Sequence, residues 1–359
     1  MALPVNLRIG RGGTRLGRDG RSLLLEVPDV QDGYAIPYIQ SSSDLEIGAE
    51  PAELDEPGAE LTLLAGRQTI WRGRLDRSRP SVTIRGLAFG EYSLNVRAGS
   101  GGGTGDGRID RIGVGTVMAA LGDSITEGYY GRYFERTGWL SAEDFPADAV
   151  SRDGRNFPQL GPTTHRHLGG PKCMLSWMTD LNDLLSSSLD RPVFIANEGW
   201  GSYKTSDYLK LMREDGNWRQ RMELLRPTAW LVHLGVNDGR AKRPVQEVAA
   251  DLEAMVDLLV ERRQARPGAI LLARPCYDYA KGAPEILASY CRAIDELIRR
   301  RGLSAGPDFY DAYSRDKARY YGEDPVHPNP EGMKFMAQLW SAAILGQQDR
   351  WDQPAQAVK

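Results

Sequence analysis

The chain has 359 residues, with 45 basic and 48 acidic side chains and a formal net charge of −3. Hydrophobic residues make up 41% and charged residues 26%, which excludes intrinsic disorder and a fibrous repeat. Opposite charges are interspersed and no apolar run is long enough for a membrane span, so we expect no nucleic-acid partner and no transmembrane segment. The N-terminus lacks a charged segment followed by an apolar one, so we expect a cytoplasmic protein, or a secreted one if a leader was removed.

The first part of the chain, up to about Ala98, consists of short β-like runs separated by Gly, Pro and Asp. About seven such strands without a convincing helix are typical of a β-sandwich. The predicted strands are 5–9, 22–27, 34–40, 60–64, 69–75, 81–84 and 92–96. The glycine-rich stretch 99–107 that follows indicates a flexible linker or a hairpin tip. We therefore predict an all-β sandwich domain of the immunoglobulin or jelly-roll type over residues 1–113.

From Val114 onward, apolar strands alternate with longer amphipathic segments, which is an α/β pattern. The predicted strands are 116–121, 192–196, 229–234, 269–273 and 308–310. They are mostly continuous apolar runs, as expected for parallel strands buried on both faces. Helical stripes of apolar residues occur at 248–259, 287–298 and 336–344. We predict a three-layer, doubly wound parallel sheet over residues 114–359.

The stretch 129–170 is too long and irregular for an ordinary connection between a strand and a helix. It is either a structured surface excursion or a functional loop. His165 and His167 within it are spaced like metal ligands but lack obvious partners, so we expect no metal site. The three cysteines are too few and too widely spaced for a disulfide framework or a zinc site, and we expect ordinary thiols at Cys173, Cys276 and Cys291.

The first motif with catalytic character is Gly122, Asp123 and Ser124, directly after an apolar strand. Ligands of open α/β sheets bind at the carboxyl ends of the strands, and a glycine there lets the chain turn tightly. The motif therefore projects a serine hydroxyl into the expected crevice. By itself it is equally an ordinary turn or helix cap.

The second motif, Asp324 to His327, lies about two hundred residues downstream, just before the final helix. Serine is a poor nucleophile until a base takes its proton, and histidine is that base near neutral pH. A carboxylate three residues away fixes the histidine tautomer. Taken alone, this motif would be a solvent-exposed loop histidine.

Two further motifs supply hydrogen-bond donors for an oxyanion. Asn237 follows a buried strand and offers a side-chain amide, although Asn-Asp-Gly is also a common turn sequence. The glycine-rich block 197–202 offers backbone N–H groups, or is simply a loop that ends a strand. His233, inside its strand, is expected to be a core histidine satisfied by hydrogen bonds.

Together, these four blocks resemble those of the SGNH (GDSL) hydrolase superfamily, and the likeness covers Val114 to about Leu345. The resemblance implies a flavodoxin-like α/β fold. It also implies that Ser124 is the nucleophile and an additional main-chain donor, Asn237 an oxyanion donor, His327 the base and Asp324 its orienting partner.

The glycine block departs from the family pattern. Family members often have Gly five positions after the Asn of this block, and this chain has Ser202 there. Gly201 would serve if the loop carries a one-residue shift, and because the donor is a backbone N–H, either residue fits. Trp200 lines an acyl or sugar subsite, or is a packed loop aromatic.

The resemblance implies a carboxylic ester hydrolase that forms an acyl-enzyme without a metal or cofactor. Similarity to two-domain carbohydrate esterases with an N-terminal β-sandwich implies O-deacetylation of a saccharide, with a small-molecule or saccharide ester as partner. The alternatives are a lipid esterase or acyltransferase with the same triad, and a catalytically inactive carbohydrate-binding protein. The natural ester and the oligomeric state stay open.

Overall fold

The computed structural model describes residues 7–9, 14–16, 23–25, 34–36, 45–54, 57–88, 90–98, 106–114, 116–129, 176–189, 193–225, 227–263, 265–322 and 324–352. These residues form two compact units. The first contains the described residues up to Val117 together with 186–189 and 193–194, and the second contains the others. Most of the stretch 129–170, with His165 and His167, lies outside the described residues, as does Cys173.

The described residues before Thr116 form ten strands, all paired antiparallel in three sheets. They are β1 (Leu7–Ile9), β2 (Thr14–Leu16), β3 (Leu23–Leu25), β4 (Tyr34–Ile36), β5 (Leu45–Ala49), β6 (Ala59–Ala65), β7 (Gln68–Leu75), β8 (Ser81–Ile84), β9 (Gly90–Ala98) and β10 (Asp106–Val114). The sheet orders are β1-β5-β8, β2-β3-β4 and β10-β9-β6-β7. The all-β character predicted for this region is confirmed, whereas β2, β5 and β10 were not predicted.

The four-stranded sheet has one apolar and one polar face because side chains alternate along each strand. Leu61 and Leu63 of β6 are buried and stand opposite Val96 and Leu94 of β9. These residues belong to the hydrophobic core of the first unit. The intervening residues, such as Thr62, carry polar side chains on the other face.

The glycine-rich stretch between β9 and β10 joins two paired strands. Asp106 stands opposite Arg97, and the antiparallel register continues with a bulge between Ile109 and Ile112. Residues 99–105 themselves lie outside the described part of the chain. This pairing agrees with the prediction that the stretch is the tip of a hairpin, and not with the prediction of a flexible linker.

The second unit is built on a five-stranded sheet of order β12-β11-β13-β14-β15. The strands are β11 (Thr116–Gly122), β12 (Val193–Gly199), β13 (Ala229–His233), β14 (Ile270–Arg274) and β15 (Ser304–Asp308). Strands β11, β13, β14 and β15 pair in parallel, as predicted. The chain order reverses next to β11, so a crevice is expected beyond the carboxyl ends of β11 and β13.

Helices flank this sheet, and the three amphipathic stripes of the sequence all lie on helices. The helices are α1 (Ser124–Glu127), α2 (Trp177–Leu189), α3 (Thr205–Glu214), α4 (Gly216–Leu225), α5 (Val236–Arg240), α6 (Val245–Arg263), α7 (Ala283–Arg301), α8 (Phe309–Ser314), α9 (Lys317–Tyr320), α10 (Pro330–Leu345) and α11 (Gln348–Trp351). None of the helices within the described ranges is long and apolar enough to cross a membrane.

The strand predicted at 308–310 was wrong. The last strand is β15, which ends at Asp308, and Phe309 begins helix α8. The Asp308 side chain accepts a hydrogen bond from the Asp311 backbone N–H at 3.0 Å and so caps this helix. Phe309 and Tyr313, four positions apart, are buried on one helical face, and such a short apolar run does not distinguish strand from helix in the sequence.

The prediction that hydrogen bonds satisfy the His233 side chain was also wrong. The side chain is fully buried on β13, and both ring nitrogens lack a partner among the described residues. It packs edge-on against Phe309, with ring centroids 5.0 Å apart. Burial lowers the pKa of His233 to about 3, so the residue is a neutral core side chain.

Candidate active site

Ser124 is positioned by the abrupt end of β11. Gly122 ends the strand, and a Cβ at this position would overlap Oγ1 of Thr126. Asp123 then caps helix α1, its Oδ1 accepting a hydrogen bond from the Ile125 backbone N–H at 3.0 Å. Ser124 is the first residue of α1 and is only 8% exposed. Its hydroxyl is therefore held at the carboxyl edge of the sheet.

Ser124, His327 and Asp324 form one continuous hydrogen-bonded chain. The Ser124 Oγ lies 2.8 Å from Nε2 of His327. The opposite ring nitrogen, Nδ1, lies 2.8 Å from Oδ2 of Asp324. The structure thus brings a serine and a histidine 203 positions apart in sequence into contact, with the aspartate of the second motif on the far side of the imidazole.

Backbone N–H groups, as well as the imidazole, hold the Asp324 carboxylate in place. Its Oδ1 accepts hydrogen bonds from the backbone N–H groups of Val326 at 2.6 Å and His327 at 2.8 Å. Partial burial alone would raise its pKa, but the hydrogen bonds from His327 and Val326 outweigh this and lower the pKa to about 2. Asp324 is therefore ionised near neutral pH and holds the imidazole with a proton on Nδ1.

Asp123, next to Ser124 in sequence, is a buried carboxyl, and the sequence alone did not indicate how burial changes its pKa. It is fully buried, and its Oδ2 has no hydrogen-bond partner among the described residues. This burial raises the pKa of Asp123 to about 7. Near neutral pH the carboxyl therefore takes up a proton far more readily than an exposed aspartate.

Asn237 lies just beyond the carboxyl end of β13, the strand that pairs with β11. Its Nδ2 donates one hydrogen bond to the Tyr203 carbonyl at 3.1 Å, which leaves a second amide hydrogen for a ligand. The following residue, Asp238, is fully buried and accepts hydrogen bonds from Thr205 and Arg243. This network holds helix α5 and hence Asn237 in place.

The glycine block, residues 197–202, packs against the turn that contains Gly122 and Ser124. The Trp200 N–H donates to the Gly122 carbonyl at 3.0 Å. Gly199 packs so closely on helix α1 that a Cβ would overlap the backbone nitrogen of Glu127. The Asn197 Oδ1 accepts a hydrogen bond from Gly199 N–H at 3.0 Å, which stiffens the turn. The block thus reaches the edge of the sheet where Ser124 lies.

The choice between Gly201 and Ser202 as main-chain donor stays open. The Tyr203 N–H donates to the Trp200 carbonyl at 3.2 Å, which closes a tight turn over both residues. Ser202 is exposed and adopts φ of 65°, a left-handed conformation that favours glycine. Neither N–H has an acceptor among the described residues, so both are available to a ligand.

The aromatic side chain of Tyr129 contacts His327, and that of Trp200 lies in the glycine block. Trp200 stacks on Tyr203 with centroids 5.5 Å apart, which is the packing expected of a loop aromatic. The Tyr129 ring lies 5.3 Å from the His327 ring and was not predicted as part of the site. No sequence signal marked Tyr129, because it lies at the start of the long irregular stretch.

No group of three or more His, Cys, Asp or Glu side chains within the described ranges could hold a metal ion. Cys276 and Cys291 are buried free thiols, and burial raises the pKa of both.

The family model described as GDSL-like lipase/acylhydrolase matches residues 120–335. The chain belongs to this family. The part that matches the GDSL-like family includes Ser124, Gly201, Ser202, Asn237, Asp324 and His327. No curated protein matches the chain in sequence.

Solved structures of GDSL-like and related esterases resemble this chain at low identity. The lipase/acylhydrolase from Enterococcus faecalis is 19% identical, with a TM-score of 0.43, covering 67% of this chain and 100% of the other. A carbohydrate acetylesterase from Xanthomonas citri is 12% identical, with a TM-score of 0.50, covering 89% and 73%. An acetylxylan esterase from Geobacillus stearothermophilus is 17% identical, with a TM-score of 0.42, covering 65% and 94%.

Proposed function

We propose that this GDSL-like protein is a serine esterase that hydrolyses carboxylic esters through an acyl-enzyme on Ser124. The observation that carries the proposal is the pair of 2.8 Å contacts that connect the Ser124 hydroxyl through His327 to the Asp324 carboxylate. Such a chain activates a hydroxyl that is otherwise a poor nucleophile.

In the proposed mechanism, His327 Nε2 accepts the Ser124 proton as Oγ attacks the ester carbonyl. The proton then passes from His327 to the leaving alcohol, and the acyl group stays on Ser124. Water, deprotonated by His327, releases the acid and restores the serine. Asp324 stabilises the imidazolium that forms at each attack, and its low pKa keeps it ionised throughout.

Negative charge develops on the carbonyl oxygen and requires donors arranged in advance. The Ser124 backbone N–H, at the first position of a helix, has no intrahelical acceptor and is one such donor. The second amide hydrogen of Asn237 is another. The turn that holds Gly201 and Ser202 supplies the third, from whichever backbone N–H faces the oxygen.

The substrate class that we propose is an O-acetylated saccharide. Support comes from the likeness to the Xanthomonas citri enzyme, which extends over 89% of this chain and so reaches beyond the catalytic fold. The identity is low, so this support concerns architecture, and site chemistry alone fits any ester of suitable size. We further propose that residues 1–113 form an accessory domain to the catalytic domain at 114–359.

The catalytic proposal is tested with Ser124→Ala. We expect turnover of p-nitrophenyl acetate to fall by about a thousandfold or more, while the melting temperature stays near that of the wild type. Ser289→Ala, on helix α7, is the matched control and should keep full activity. Turnover retained by Ser124→Ala would overturn the assignment of the nucleophile.

The substrate class is tested by comparing p-nitrophenyl esters of increasing acyl length with acetylated oligosaccharides. An acetylesterase should prefer acetyl over octanoyl esters and release acetate from the saccharides. Preference for long acyl chains would instead support the lipid esterase alternative and reject the saccharide assignment.

A further inference from the structure

A polar groove of about 490 Å³ runs over the four-stranded sheet of the first unit. It lies on the face opposite the hydrophobic core. All four strands line it: β7 contributes Arg72, β6 Thr62, β9 Asn95 and β10 Arg108. The remaining lining residues are Glu60, Val96, Arg97, Asp106 and Gly107. The groove is lined by no residue of the triad and has no assigned role.

The strand register arranges most of these side chains, together with Arg74 outside the groove, in two rows across the sheet. The first row reads Asp106, Arg97, Glu60 and Arg74, with alternating charge. The second reads Arg108, Asn95, Thr62 and Arg72. Neighbouring strands are about 4.8 Å apart, so the two outer arginines of the second row stand roughly 14 Å apart at their backbones. That span accommodates a saccharide lying between them.

The first row resembles an ordinary ion-paired surface. Arg97 and Asp106 approach to 3.2 Å, but their side chains are 68% and 69% exposed. Such exposed pairs contribute little to stability and are readily exchanged for other partners.

Part of the second row offers hydrogen-bonding groups that are not used within the described part of the chain. Thr62 and Asn95 are half-buried and form the floor, while Arg72 and Arg108 are exposed at the sides. The side chains of Arg72 and Asn95 have no hydrogen-bond partner among the described residues. Arg108 donates through Nη2 to the Ser93 hydroxyl at 3.1 Å, which holds its guanidinium over the sheet.

The charge of this region favours an anionic ligand. Residues 57–114 contain nine basic and five acidic residues, a net charge of +4 in a chain whose total is −3. All nine basic residues are arginine, whose planar fork binds carboxylates with two parallel hydrogen bonds. None of the described residues that line the groove is aromatic, so those residues offer no stacking surface of the kind that a neutral sugar would use.

We propose that this groove binds an acidic polysaccharide whose uronate carboxylates engage Arg72 and Arg108 and whose hydroxyls reach Thr62 and Asn95. The choice of a saccharide rests on the proposed function, whereas the preference for an anion rests on the arginines of the groove and the positive net charge of residues 57–114. The groove then adds a carbohydrate contact that is independent of catalysis.

The proposal is tested on the full chain carrying Ser124→Ala, so that binding is measured without turnover. Isothermal titration compares oligogalacturonate with neutral dextran of the same length, in the parent and in an Arg72→Gln, Arg108→Gln double variant. The matched control is Arg67→Gln with Arg85→Gln, which removes the same charge from exposed positions outside the groove.

We expect oligogalacturonate to bind and dextran not to bind. The groove variant should lose about tenfold or more in affinity and the control less than about twofold, because each substitution removes a charge-assisted contact only in the groove. Equal losses in both variants, or no binding by the parent, would overturn the proposal. So would binding of single-stranded DNA with the same sensitivity to the groove variant. If the wild type has no esterase activity but the chain still binds oligogalacturonate through the groove, the proposed esterase function is wrong and the proposed groove function is supported.

Discussion

Replacing Asp123 by Asn removes a buried titratable carboxyl from the turn that holds the nucleophile. The Asn side chain keeps Oδ1, which accepts the hydrogen bond from the Ile125 N–H. The group that changes is Oδ2, which has no partner among the described residues. The variant therefore tests directly whether burial perturbs this carboxyl.

The magnitude follows from the pKa shift. Burial raises the pKa of Asp123 from its ordinary value of 3.8 to about 7, so between these values the folded protein holds a proton that the unfolded chain has released. The contribution of Asp123 to the free energy of unfolding is therefore largest below pH 3.8, and it decreases as the pH rises toward 7. At about 1.4 kcal/mol per pKa unit, the full loss is about 4 kcal/mol, of which about 3 kcal/mol falls between about pH 4.5 and about pH 8.

His233 acts in the opposite direction and would hide this effect in the wild type alone. Burial lowers its pKa from 6.5 to about 3, so its contribution to stability increases as the pH rises through that interval. Because both proteins contain His233, the difference in unfolding free energy between wild type and Asp123→Asn removes this contribution. The unpartnered amide of Asn adds a constant cost of about 1–3 kcal/mol.

The assay is urea denaturation followed by tryptophan fluorescence at several pH values. We expect the stability advantage of the wild type over Asp123→Asn to shrink by about 3 kcal/mol from about pH 4.5 to about pH 8. Asp183→Asn, at an exposed position of helix α2, should show no comparable decrease. If the difference in unfolding free energy between wild type and Asp123→Asn stays constant or grows over this pH range, Asp123 is ionised in the folded protein. That result would refute the reasoning.

Three further substitutions test the geometry of the site. Asp324→Asn should lower kcat/KM for p-nitrophenyl acetate by about 10²- to 10⁴-fold, because the imidazole loses its orienting charge; an unchanged rate would indicate a working Ser-His dyad. Gly199→Ala should reduce both melting temperature and activity, since its Cβ would overlap backbone atoms, whereas Gly216→Ala, which meets nothing within 4 Å, should do neither. Ser202→Gly should keep its activity and stay within about 1 kcal/mol of wild-type stability, and a loss of activity would assign a role to the serine hydroxyl.

Much of the second unit could be predicted because its strands are continuous apolar runs. Strands such as β11 and β13 are buried on both faces, and this composition identifies parallel strands without knowledge of their partners. The motifs at Ser124 and Asn237 follow these strands directly, so their meeting at one sheet edge follows from parallel pairing. The contact between Ser124 and His327 could not be predicted in this way, because the two residues are 203 positions apart and meet only in the folded chain.

The remaining features depend on tertiary contacts that leave no local pattern. The buried state of Asp123 arises from what packs around it, because the same Gly-Asp-Ser sequence occurs in exposed turns. The approach of Tyr129 to His327 likewise has no periodic signal. In the first unit, β5 pairs with β1 and β8, which are distant in sequence, and β2 is only three residues long, which is why composition did not identify them.

The most direct test of the account is covalent labelling with a fluorophosphonate probe followed by peptide mass spectrometry. The account predicts a single modified residue, Ser124, with labelling lost in Ser124→Ala and strongly slowed in His327→Ala, because the base no longer takes the hydroxyl proton. Modification at another serine, or a folded wild-type protein that never reacts, would contradict the claim that these residues form a working esterase site.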